Sequence, residues 1–112
     1  MRLGDKDMKQ LKLNNKCNHD TLINFGFRKY GTNYKAFVPL YQKNGETLIE
    51  VEFLISSVDQ YIGYDVLDVC NKNLYTAFYD SNNTTTNNVV LETVVRNLNE
   101  IFDNMKENNI LD

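Results

Sequence analysis

From Tyr34 to Ile55 apolar and polar side chains alternate along two runs that flank Lys43-Asn44-Gly45-Glu46. Alternation with a period of two sorts side chains onto opposite sides of a sheet, and Asn-Gly between two such runs is a strong signal for a two-residue primed turn. In that register Leu40 lies opposite Ile49, Val38 opposite Val51, Ala36 opposite Phe53 and Tyr34 opposite Ile55, so one face is wholly apolar. The reverse face pairs Tyr41 with Leu48, Pro39 with Glu50, Phe37 with Glu52 and Lys35 with Leu54, a mixture of rings and charges. Pro39 introduces a conflict, because its position calls for an N–H donated across to Glu50 and proline has none. Either the first strand is bulged there or the loop is longer than two residues, and both make this strand an edge.

Further along, Ile62, Tyr64 and Val66 alternate against Gly63 and Asp65, which predicts a third strand over Tyr61 to Val69. Asn71-Lys72-Asn73 then turns the chain into a short fourth strand, Leu74 to Tyr79. Short turns between successive strands imply an antiparallel meander in sequence order. Ahead of the hairpin, Asn18 is a cap residue and Gly26 a left-handed stop, which bracket a helix of about two turns burying Leu22, Ile23 and Phe25. Arg28 to Asn33 reads as a turn centred on Gly31. Asp80 to Asn87 contains no apolar residue and reads as a surface loop whose last members cap a helix. That helix, Val89 to Asn108, repeats Leu91, Val94, Val95, Leu98, Ile101, Phe102 and Met105 at spacings of three and four, with Glu92, Arg96, Glu100 and Lys106 off the stripe. The fold class is therefore α+β: a four-stranded antiparallel meander with a short N-terminal helix and a long C-terminal amphipathic helix packed on one face, in the order α-β-β-β-β-α. Residues 1–14 carry alternating charges and scattered leucines and read as a loose lead-in; residues 15–112 form a single domain.

Length and charge narrow the function. A chain of 112 residues holds one core. Twelve basic against fifteen acidic side chains, net charge -3, argue against a nucleic-acid backbone as partner. The start of the chain lacks the apolar segment of a secretion signal and no run of about 18 apolar residues occurs, so a cytoplasmic protein with no membrane partner is expected. Cys17 and Cys70, with no export signal, read as reduced thiols.

Candidate chemistry is sparse. The run Cys17-Asn18-His19-Asp20 gathers a thiol, the single imidazole and a carboxylate, but its spacing fits no usual zinc pattern and Asn18 and Asp20 serve better as helix caps. Glu50 and Glu52 share a sheet face near Asp65 and Asp68, at a separation of about 7 Å along a strand that a hydrolase or a divalent ion can use. A face kept soluble by charge explains the same carboxylates, and no phosphate-binding, nucleophile-elbow or zinc-protease motif accompanies them. No catalytic residue, metal ligand or cofactor site is therefore assigned. The aromatics say more. With Val38, Val51 and Tyr64 facing the helix, Phe37, Tyr41, Tyr61, Tyr75 and Tyr79 fall on the opposite face or its margins, beside acidic groups. Tyrosine offers rigid contact area with a polar tip. Stacking of single-stranded bases uses the same rings but calls for interleaved basic residues, which are missing.

Leu22-Ile23-Asn24-Phe25-Gly26-Phe27, then Asn33-Tyr34, Tyr41-Gln42-Lys43-Asn44-Gly45-Glu46 and the amphipathic C-terminal helix resemble small uncharacterised phage and prophage proteins of AT-rich Gram-positive bacteria. The resemblance spans most of residues 18 to 112 and implies an accessory role exerted by binding other proteins. The expectation is a non-enzymatic protein-binding module whose outer sheet face, with Tyr41, Glu50, Glu52, Tyr61 and Tyr75, meets a partner protein or a second copy. Its rivals are a small carboxylate- or metal-dependent hydrolase and a single-stranded nucleic-acid binder.

Overall fold

The computed structural model describes residues 11–79 and 89–112. Its elements are α1 (His19–Phe25), β1 (Arg28–Tyr30), β2 (Asn33–Lys43), β3 (Glu46–Ser56), β4 (Tyr61–Asp68), β5 (Asn73–Leu74), α2 (Thr76–Tyr79) and α3 (Val89–Glu107). The strands lie side by side in sequence order and every neighbouring pair is antiparallel. The α+β meander with helices at both ends is thus the architecture the pattern implies, with five strands rather than four. The polar stretch Asp80 to Asn87 lies outside the described residues.

Two local readings change. Arg28 to Asn33 is a hairpin in its own right: Gly31, at φ 63°, lets the chain reverse and Arg28–Tyr30 pairs with Asn33–Lys35. The expected fourth strand stops after two residues, and Thr76–Tyr79 coils into one helical turn. Tertiary docking explains the second change. Phe78 is fully buried, the Tyr75 N–H donates to the Val66 carbonyl at 2.8 Å, and the Val66 N–H donates to the Tyr79 hydroxyl at 2.8 Å. These two bonds satisfy the outward-facing backbone of Val66 beyond the end of β5, so a strand is not needed there.

The central hairpin keeps the expected register from Tyr34–Ile55 to Pro39–Glu50 and again at Gln42–Thr47 and Lys43–Glu46. Asn44 and Gly45 both have positive φ, 53° and 82°, as a primed turn of the first type requires. Between these stretches the conflict at Pro39 is resolved by bulges. Leu40 is an extra residue on β2 and Leu48 an extra residue on β3, so Tyr41 pairs with Ile49 and the two insertions cancel. Counted outward from the Tyr30–Asn33 pair that closes the first turn, Phe37 and Pro39 direct their backbone polar groups away from β3. β1 pairs only with Asn33–Lys35, so among the described residues no strand lies beside Pro39 on that side, and its missing N–H leaves no ladder bond unmade there. The Asn97 side-chain amide on α3 donates to the bulge carbonyl of Leu40 at 2.8 Å.

One face of the sheet carries the core. Ala36, Leu40, Ile49, Val51, Phe53, Ile55, Ile62 and Val66 are buried there, covered by Val94, Leu98, Phe102 and Met105 of α3. Phe102 stands edge-on to both Phe53 and Tyr64, with ring centroids 6.3 and 5.3 Å away. α1 fills the rest of the same side. Asn18 accepts from the Thr21 N–H at 3.0 Å while the Thr21 hydroxyl accepts from the Asn18 N–H at 2.9 Å, and Gly26, at φ 124°, closes the other end. That closure delivers Phe27 into the core against Phe53, at 6.3 Å. Of the three α1 residues expected to bury, Leu22 does, Phe25 is half-buried, and Ile23 is exposed. Most of the expected lead-in is outside the described residues, but its last members are tied down: Leu13 bridges Leu111, and the Asp112 N–H donates to the Lys12 carbonyl at 2.9 Å. This brings Ile110 and Leu111, both buried, under the end of α3.

Candidate functional site

Side chains at odd positions of β2 (Asn33 to Pro39), even positions of β3 (Glu50 to Ser56) and odd positions of β4 point away from the helices. The cross-strand rows on this outer face are Arg28–Lys35–Leu54–Gly63, Phe37–Glu52–Asp65 and Pro39–Glu50–Leu67–Leu74. Paired side chains stand about 5 Å apart at Cβ, so these residues form one continuous surface. Tyr30, Phe37, Tyr61 and Leu74 are exposed by 54%, 52%, 57% and 46%, values that leave about half of each large apolar side chain in water. The hydroxyl end of the Tyr61 ring sits over Gly63, where a Cβ would collide with the ring and hydroxyl. Glycine here lets an aromatic ring cover bare backbone. A shallow cleft of about 170 Å³ opens beside it, lined by Lys35, Glu52, Leu54, Tyr61 and Asp65 among others.

Three of the five expected contact residues, Glu50, Glu52 and Tyr61, lie on this face. Tyr41 and Tyr75 do not. The Leu40 bulge rotates Tyr41 to the helix side, opposite buried Ile49, where it packs on the core margin. Tyr75, bonded through its N–H to Val66, is half-buried against the same core, as is Tyr79. In their place the outer face presents Arg28, Tyr30 and Leu74, which the turn reading of Arg28–Asn33 and the strand reading of Leu74–Tyr79 concealed. Gly31 between Tyr30 and Asn33 was the available signal.

The electrostatics are uneven. Lys35 Nζ sits 3.6 Å from a Glu52 carboxylate oxygen and 5.9 Å from the Tyr30 ring centroid. Glu50 has its carboxyl raised above the usual range by burial, and further by the neighbouring charge of Glu52. A raised carboxyl means that folding disfavours the ionised form, so the penalty is present at neutral pH and fades as pH falls through the folded value toward the ordinary glutamate value of about 4.3. Glu50→Gln should accordingly raise the melting temperature at pH 7 and leave it unchanged near pH 4. Melting curves that separate only in acid would contradict this account.

Glu52 and Asp65 share the cleft, but Glu50 and Asp68 do not line it, so the four carboxylates do not converge in one pocket. Asp68 pairs with Ile49 on the helix-side register, and its carboxylate accepts from the Asn71 backbone and side chain. No cluster of three metal-ligating side chains occurs among the described residues. Around Cys17 the groups are separately engaged: the Thr21 hydroxyl lies 3.9 Å from Cys17 Sγ, while His19 Nδ1 and the Tyr34 hydroxyl share a hydrogen bond of 2.8 Å. Burial also pushes the Cys17 thiol up, which disfavours a thiolate. Among the described residues no helix is long and apolar enough to cross a membrane.

No protein-family profile and no curated protein matches the chain. Among solved structures it is similar to a DUF1831 family protein from Lactobacillus plantarum, with a TM-score of 0.68 and 15% sequence identity over 91% of this chain and 84% of the other. At that identity the likeness concerns the fold.

Proposed function

We propose that this chain is a non-enzymatic binding module that docks on another protein surface through the outer face of its sheet. The observation that carries the reading is the exposure of Tyr30, Phe37, Tyr61 and Leu74 on one face, interleaved with Glu50, Glu52 and Asp65, while α1 and α3 pack on the other. Apolar area concentrated on one surface costs solubility, and large patches of this kind mark interaction sites. Rings among charges suit a protein surface, where aromatic anchors supply contact area and the surrounding charges fix orientation. The same composition opposes nucleic acid, because the carboxylates repel phosphate.

The test is capture by the tagged 112-residue chain, comparing wild type with a Glu50→Lys, Glu52→Lys, Tyr61→Ala variant and with Glu92→Ala on the solvent side of α3. Capture of a defined partner by wild type and Glu92→Ala, and its loss from the face variant with circular dichroism unchanged, is the expected result. Undiminished capture by the folded face variant would remove the assignment.

A further inference from the structure

The charges on the outer face are segregated. Arg28 and Lys35 lie side by side at the β1–β2 corner, and Glu50, Glu52 and Asp65 form a strip across β3 and β4. Lys35 answers Glu52 within the chain, whereas Arg28, Glu50 and Asp65 have no ion-pair partner among the described residues. Between corner and strip lie Phe37 and Leu54, with Leu67 beyond.

A two-fold axis exchanges two places on a surface, so a face with one basic and one acidic region complements itself, while a face of a single sign repels its own copy. Resting on the reading of this face as a docking surface, we propose that its occupant is a second copy of the chain. The copies meet face to face about an axis in the plane of contact, with the Arg28–Lys35 corner of each over the Glu50–Asp65 strip of the other. The size of the face sets the strength. With strands about 4.8 Å apart and a rise of about 3.3 Å per residue, about eight residues on each of β2, β3 and β4 and the short β1 and β5 span roughly 450 Å², so the pair buries about 900 Å², in the range of weak, transient contacts. The dimer is therefore weak, with a dissociation constant on the order of micromolar, and weakens further with salt because its complementary charges are solvent-accessible. A cation brought over Glu50 also relieves the crowding of two adjacent carboxylates.

Sedimentation equilibrium of the full chain from about 1 µM to 1 mM, a span bracketing that constant, tests the proposal. Wild type should self-associate reversibly. Arg28→Glu alone and Glu50→Arg alone should each weaken association at least about tenfold, and an equimolar mixture of the two should restore it, since each supplies the charge the other lacks. Glu92→Ala should behave as wild type. A chain that remains monomeric throughout, or a dimer unmoved by either charge reversal, overturns the self-partner. Capture of another protein that depends on the same face would then leave the docking reading standing, and loss of that dependence as well would remove both.

Discussion

Leu98→Ala is expected to lower the unfolding free energy by about 2–5 kcal/mol, a large share of the roughly 5–15 kcal/mol available to a domain. Leu98 is fully buried midway along the α3 stripe, with Val94 one turn before it and Phe102 one turn after, so its truncation opens a cavity between helix and sheet. The sheet beneath is rigidly paired on both sides of β3, which limits collapse into that space. Glu92, exposed on the same helix, supplies the control: Glu92→Ala should cost well under about 1 kcal/mol. Urea unfolding monitored by circular dichroism should move the midpoint for the first variant and barely for the second, with similar slopes. Equal, mild effects would mean that α3 does not seal the core.

The helix and the central hairpin were legible in the sequence because each repeats one signal many times. Seven apolar residues at helical spacing, or four consecutive apolar cross-strand pairs, leave little freedom of register. Pro39 was legible as a conflict, but not the way the chain resolves it. The bulge carbonyl of Leu40 is met by the side-chain amide of Asn97, 57 positions away, a partner that the local sequence does not disclose. That single bulge decides which face Tyr41 occupies, so the candidate site inherited an error from one residue of backbone. Arg28-Lys29-Tyr30 has no apolar alternation at all, because every one of its side chains is exposed. Its pairing follows from Gly31 and from the open edge of β2. Leu74 to Tyr79 is rich in strand formers, yet burial of Phe78 and the bond to Tyr79 override that preference. Ile110 and Leu111 are two apolar residues beyond the helix stop, too short a run to carry a period; in the fold Leu111 bridges Leu13, the Ile110 carbonyl accepts from the Asn14 N–H, and both side chains are buried.

Phe53→Ala and Phe37→Ala should separate the two faces with one kind of side chain. Phe53 is fully buried at the meeting point of three elements, with ring centroids 6.3 Å from Phe27 after α1, 6.2 Å from Tyr64 on β4 and 6.3 Å from Phe102 on α3. Truncating it removes the transfer energy of a large ring, leaves a cavity and breaks several aromatic contacts, for an expected loss of about 3–5 kcal/mol. Phe37 lies on the adjacent strand opposite Glu52, one residue along β3 from Phe53, but 52% of it is exposed. Its truncation should cost less than about 1 kcal/mol when unfolding is measured at low protein concentration, where a weak dimer is dissociated. The order should reverse for association: folded Phe37→Ala should lose partner binding while keeping its melting temperature. Similar destabilisation by both variants at low concentration would mean that the outer face is held by intramolecular packing, and a surface already occupied from within has no anchor to offer a partner.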